Sequence, residues 1–189
     1  MSSQWWEVVK GPVLEQGDLL VGVPIFRVEG VARAARDDVE VIEEEHDAIV
    51  LTQTCDLIND KVEDILVAVV LSYDGLVHRF GDTQAHIKGK SFRKAVVNGN
   101  LPPYSLLQER LDEPSIPWSL VSFHHLFTLP KSLASRVAEE RGDRLRLVHP
   151  YKEHLAQAFA RYMMRVGLPS TLEAFESRLP GSAGTPDLT

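Results

Sequence analysis

The order of its periodic segments constrains this chain most. Apolar, β-branched runs separated by turn residues fill the first half, and apolar residues at helical spacing fill the last third. Residues 18–25 follow Gly17 and read as a strand that ends at Pro24 or lies at a sheet edge, since proline cannot donate to a ladder. Residues 48–54 and 65–72 are short, apolar and β-branched, as buried strands are, with Asn59-Asp60-Lys61 between them as a turn. Residues 37–45 set Val39, Val41 and Ile42 among carboxylates, which suits an exposed hairpin arm or a mobile loop. Residues 81–117 carry Gly89, Gly99, Pro102, Pro103, Pro114 and Pro117. These argue for loops, joining either short strands at 104–107 and 118–123 or a helix over 105–111, and the sequence does not decide between the two.

Pro130 opens a helix running through Leu133 and Val137 to about Glu140, where Gly142 stops it. A second helix runs from Pro150 to Val166, with Leu155, Phe159, Tyr162, Met163 and Val166 on one face and Gly167 and Pro169 as its stop. Ser170-Thr171-Leu172-Glu173 is a capping box for a short last helix through Leu179, and 181–189 reads as a frayed, disordered tail. Strands followed by helices imply an α+β fold instead of a doubly wound sheet. A small curved antiparallel barrel with C-terminal helices packed on it is expected. It forms one domain over 1–180, β-rich over 1–128 and helical over 129–180, and 189 residues suffice for one core.

The 44% hydrophobic and 25% charged residues are those of an ordinary globular protein. Twenty Lys+Arg against 27 Asp+Glu give a net charge of −7, without the basic surplus that supplies nucleic-acid binders with affinity. A single cysteine excludes an intramolecular disulfide and fits a reducing compartment. Residues 1–7 lack the basic-then-apolar order of a signal peptide, and the longest strongly apolar run, 65–71, is far too short for a bilayer. A cytoplasmic protein without membrane association is expected.

The strand from Ile49 ends in hydroxyl, amide, thiol and carboxylate, at Thr52, Gln53, Thr54, Cys55 and Asp56. Most strands end instead in residues that turn the chain cheaply. Period two sends Thr52, Thr54 and Asp56 to one side and Gln53 and Cys55 to the other. A functional reading makes Cys55 a nucleophile or metal ligand, with Asp56 orienting a partner. A nucleophilic thiol needs a cation, a His or a helix N-terminus beside it, and none is visible. The preferred reading has Cys55 as core filler and Asp56 as a cap for the segment starting at Leu57.

None of the seven histidines (46, 78, 86, 124, 125, 149 and 154) falls at metal-ligand spacing, so no metal is expected. His154, Gln157, Arg161 and Arg165 align as a polar stripe on the helix from Pro150. Its plain role is a solvated face, and Arg161, at mid-helix, is the expected partner of a buried Asp56. Trp5-Trp6 is expected to pack a terminal strand onto the core. No Walker loop, GxGxxG or GxSxG occurs, so no cofactor is expected.

The pattern Gly17-Asp18-Leu19-Leu20, then Val50-Leu51-Thr52-Gln53-Thr54-Cys55-Asp56-Leu57, then a helix from Pro150 through Arg161-Tyr162 and Arg165 resembles a group of bacterial proteins of uncharacterised activity. The resemblance covers most of 17–169. More loosely, a Gly-Asp strand, an apolar strand ending in polar residues and a closing helix resemble the MazF/PemK toxin barrels. That likeness implies an SH3-like (PemK-like) barrel and RNA cleavage, although Glu44-Glu45-His46-Asp47 stands where those proteins carry an Arg-Pro step. The leading expectation is a binding or accessory module for a protein partner or small ligand, with Thr52, Gln53, Asp56 and Arg161 at its site and a homodimer as a candidate assembly. The alternative is a MazF-like endoribonuclease acting on RNA through Asp56, His154 and Arg161, and third comes a Cys55-dependent hydrolase.

Overall fold

A computed structural model describes residues 4–29, 40–80 and 82–164. Residues 37–39, Arg165, Val166, the Gly167/Pro169 stop, the 170–173 capping box, the helix through Leu179 and the 181–189 tail lie outside the described residues.

The fold is α+β. Its strands are β1 (Trp6–Val9), β2 (Leu19–Glu29), β3 (Glu40–Val50), β4 (Asp64–Ser72), β5 (Tyr104–Leu107), β6 (Ser119–Pro130) and β7 (Arg144–Leu147). Its helices are α1 (Thr54–Ile58), α2 (Tyr73–Phe80), α3 (Lys90–Val97), α4 (Lys131–Arg141) and α5 (Tyr151–Met163). One antiparallel sheet has the order β2-β3-β4-β6-β5, and β1 pairs with β7 in a second. A single bridge, Asp18 to Arg146, joins the two. The sheets do not close into a barrel. A side chain ties β1 to the residue that follows β5: the buried Trp6 indole donates to the Gln108 carbonyl at 2.8 Å.

Strand alternation gives the sheet two cores. Ala48, Val50, Val67 and Val69 face α4, which covers them with Ala134, Val137 and Ala138. Ile49, Leu51, Ala68 and Val70 face the opposite way, under Trp6, Phe123, Leu145 and Leu155. Fully burying one such side chain stabilises by roughly 1.5–3 kcal/mol, so a one-residue slip would be costly on both faces. Gly17 fixes how closely β7 approaches. It sits at a φ of +87°, and a Cβ there would lie 3.0 Å from the Leu147 Cβ.

β2 runs through Pro24 to Glu29, and its place at the edge of the five-stranded sheet is what tolerates the proline. Residues 40–45 belong to β3 and pair with β2, so this part of the acidic segment is a hairpin arm. β3 stops at Val50, short of the expected Thr54, because the Thr52 hydroxyl takes the Leu66 amide that a longer ladder would have used. The turn at residues 59–61 is present, with Asp60 at a φ of +50°.

Of the two readings left open over 104–111, the strand holds: β5 falls at 104–107, and no helix forms over 105–111. β6 is longer than expected and runs directly into α4. α2 and α3 were not anticipated. They bury Leu76, Phe92 and Val96 in a third small core, and although Tyr73, Leu76, Val77 and Phe80 stand at helical spacing, each helix has only eight residues, too short a run for its period to stand out beside β4 and the glycine- and proline-rich stretch. β7 lies within the expected helical third, and three short helices lie within the β-rich part.

Candidate functional site

The polar end of β3 is built by hydrogen bonds between segments distant in sequence. Thr52 Oγ1 accepts the Leu66 amide at 2.7 Å, Thr54 Oγ1 accepts the Gln16 amide at 3.2 Å, and Gln16 Nε2 donates to the Leu51 carbonyl at 2.9 Å. These bonds tie β3, β4 and the turn before β2 together. α1 then starts at Thr54 and ends the period-two alternation, so Thr52, Thr54 and Asp56 do not share a face.

Two expectations at this corner are overturned. Asp56 is not a cap: Gln53 occupies the N-cap position without a side-chain bond, and Asp56 sits in the first turn. There its charge suits the helix dipole, and it pairs with Lys61 at 3.5 Å. Cys55 is exposed, not core filler, because the turn of α1 sends Leu57 inward instead. Its Sγ lies 3.7 Å from both Gln53 Oε1 and Asp56 Oδ1, neither of which supplies the cation a thiolate nucleophile needs.

Arg161 belongs to a different place. α5 lies beside β5, and a cavity of about 390 Å³ opens between them and the end of α3. His154, Gln157 and Arg161, one helical turn apart, line it from α5; Asn98 and Ser105 line it from the opposite wall. Trp5 stacks on Tyr151 in the same wall, with ring centroids 4.2 Å apart and planes at 14°. The His154 ring meets Tyr151 edge-on at 6.1 Å. The structure therefore brings together His154 and Arg161, and it leaves Asp56, Thr52 and Gln53 at a separate corner. Such a mix of stacked aromatics with a few convergent polar groups is how small-ligand sites are made. Trp5 and Trp6 divide the expected role: Trp6 packs β1 onto the core, and Trp5 joins the groove.

Sequence reasoning missed the strongest electrostatic feature. Asp18 is wholly buried, and Arg144 and Arg146 from β7 are nearly so. Arg144 Nε donates to Asp18 Oδ2 at 3.0 Å, and Arg146 donates to both carboxylate oxygens. Arg146 also reaches Glu15 at 2.6 Å, and Arg144 reaches the Gly11 carbonyl at 2.6 Å. Burial works against the Arg146 charge, but the Asp18 bonds and the Glu15 charge outweigh it, and the guanidinium is held more firmly protonated than usual. This network holds the segment before β2 against β7. Arg144-Leu145-Arg146-Leu147 carried the signal, a period-two run beside the Gly17-Asp18 turn, but it is short and sits between two helices.

On α5, burial opposes the Glu153 charge, yet His149, 3.2 Å away, pulls its carboxyl below the usual range. Among the described residues no three His, Cys, Asp or Glu side chains gather as a metal would require, and no helix is long and apolar enough to cross a membrane. No protein-family model and no curated protein matches the sequence.

Proposed function

We propose that the protein is a cytoplasmic binding module whose α5–β5 groove takes a small ligand with a flat apolar body and an anionic end. The observation that carries this is the convergence of the Trp5–Tyr151 stack with His154, Gln157 and Arg161 on one cavity of about 390 Å³. The aromatic pair offers apolar contact, and the guanidinium fork matches a carboxylate or phosphate. The exposed Cys55 fits a reducing compartment, where a free surface thiol survives.

Ligand-observed NMR with benzoate and larger aromatic carboxylates tests this reading. The native protein is expected to bind at least one of them, and Arg161→Gln to lose that binding while keeping its melting temperature. No binding by the native protein, or equal binding by the variant, would sink the idea.

A second reading, RNA cleavage by a PemK-like barrel, has one observation in its favour. The Asp18–Arg146 bridge and the Trp6–Gln108 bond link the two antiparallel sheets at two places, which supports reading them as an open relative of such a barrel. Of the residues expected to act, His154 and Arg161 remain together and Asp56 does not. Cleavage of a fluorescent RNA oligonucleotide, lost in Arg161→Ala, would favour this reading over simple binding.

A further inference from the structure

β5 ends the five-stranded sheet and pairs on one side only, with β6. Antiparallel strands turn successive residues' peptide groups to opposite sides. The Phe123 amide donates to the Pro103 carbonyl at 2.9 Å, so by alternation Ser105 and Leu107 bond to β6. Across β6 the Tyr73 amide donates to the Trp118 carbonyl at 2.8 Å, which gives Leu120 and Ser122 to β4 and agrees with that alternation. Tyr104 and Leu106 therefore turn their peptide groups to the free side. The chain itself closes this edge at both ends: the Tyr104 amide donates to the Leu101 carbonyl at 3.0 Å, and the Gln108 carbonyl takes the Trp6 indole. Between them, the Leu106 amide and carbonyl have no partner among the described residues. Leu106 lines the α5–β5 groove, and a free strand edge is a template for another chain.

The groove has two distinct ends. Tyr104 and Tyr162 both set their rings against His124, which puts the start of β5 by the Arg161 end of α5. Trp5 stacks on Tyr151 while its neighbour Trp6 reaches Gln108, which puts the end of β5 by the start of α5. Arg161 leans across to the turn after α3, where a Cβ on Gly99 would lie 3.7 Å from its Nη2. No described carboxylate pairs with it. α5 rises roughly 15 Å between Tyr151 and Arg161. A single ring with its carboxylate does not span that length, whereas an extended chain does so in about four residues.

We propose that the groove takes the extended C-terminal end of a polypeptide, added to β5 as an antiparallel strand with its carboxylate on Arg161. The inference rests on the ligand class proposed above: the anionic end is that carboxylate and the flat body is an aromatic side chain. A chain ending at Arg161 runs against β5, and its residue opposite Leu106 exchanges both N–H···O bonds with it. Leu106 faces α3 and packs with Val96, whereas Leu107 faces α5 and packs with Leu155. The residue opposite Leu106 shares its face and meets Val96 and Val97. Its two neighbours face α5, one against Trp5 and Tyr151, the other against His154 and Gln157. The sequence that fits is aromatic, apolar, polar, apolar, then the free carboxylate.

NMR of the full chain with acetyl-Phe-Val-Thr-Val tests this. Saturation with the peptide is expected to slow hydrogen exchange of the Leu106 amide, with little change at Ser105 and Leu107. N-methylation of the first valine and amidation of the C-terminus are each expected to weaken binding about tenfold. Arg161→Gln is expected to bind acid and amide equally. A Leu106 amide still unprotected at saturation overturns the proposal, as does equal binding of the N-methylated peptide or an Arg161→Gln variant that still prefers the acid. A protein that binds an aromatic carboxylate but not the peptide overturns it too, and leaves the small-ligand reading standing; binding of neither overturns both. Dimers whose dissociation exposes the Leu106 amide would make the occupant a second copy of this chain, and would also overturn it.

Discussion

Arg146 holds Asp18 side-on, donating Nη2 to Oδ2 at 3.0 Å and Nε to Oδ1, around a carboxylate with no exposed surface. Neutralising that carboxylate would leave two buried guanidiniums without their shared counter-charge. Asp18→Asn is therefore expected to destabilise the fold by about 3–5 kcal/mol, measured by urea denaturation. Replacing Asp18, Arg144 and Arg146 together by Leu, Met and Met is expected to recover most of that loss, because apolar side chains of similar volume avoid the desolvation cost. A triple variant no more stable than Asp18→Asn would contradict this account.

Trp6 ties β1 to the chain just beyond β5, with no backbone ladder between the two strands. Trp6→Phe keeps an aromatic ring in the core but removes the indole donor and some volume. The expected cost is about 1–2 kcal/mol, accompanied by faster amide hydrogen exchange in β1 and β5 than in β3 and β4. Uniform acceleration across the sheet would show that Trp6 acts only as core volume.

The legible parts of the fold were those whose signal is local. β4, the edge position of Pro24, the Asn59–Lys61 turn and the starts of α4 and α5 follow from β-branching, proline chemistry and helical period. What escaped the sequence depends on contacts between distant segments. The Asp18 partners lie more than a hundred residues away, so an isolated Gly-Asp could be noted but its network could not be drawn. At the site, His154, Gln157 and Arg161 were visible as one stripe because α5 alone aligns them. Their opposite wall, Asn98 and Ser105, comes from a part of the chain dense in glycine and proline that gives no periodic signal. Strand alternation misled at Cys55, because two hydroxyl bonds and a five-residue helix replaced the strand there.

An exposed cysteine on a helix anchored by its neighbour Leu57 should react without unfolding. The native protein is expected to take up one equivalent of a thiol reagent as fast in buffer as in denaturant, within a few-fold, and Cys55→Ser is expected to shift stability by no more than about 0.5 kcal/mol. Labelling that requires denaturant would return Cys55 to the core.

Asp56 pairs with Lys61, and Arg161 lines the groove of α5, so the two should not know of each other. In a double-mutant cycle of Asp56→Asn and Arg161→Ala, the effects on stability are expected to add within about 0.3–0.5 kcal/mol. Each alone should be small, since the Asp56–Lys61 pair is solvent-exposed. A larger coupling would mean that the polar corner and the groove form one site.

His125 makes stability depend on pH in a direction that can be worked out. His125 lies at the surface, yet desolvation by its packed neighbours comes first among the causes that lower its folded value from 6.5, followed by the charges of His124, Arg27, His46 and Arg79. The unfolded chain therefore binds the proton more readily than the native one, and acid favours unfolding. The contribution is complete above 6.5, declines as pH falls from there through the lower folded value, and is constant below it. Glu44 does not blur this window. Its hydrogen bond with His46, ahead of the effects of Arg27, lowers it from 4.5, so its own contribution is lost only at more acid pH. Urea midpoints measured in chloride between about pH 7.5 and about pH 5 should fall for the native protein, and His125→Gln should flatten that part of the decline. A decline of equal steepness in the variant would assign the acid sensitivity to another group.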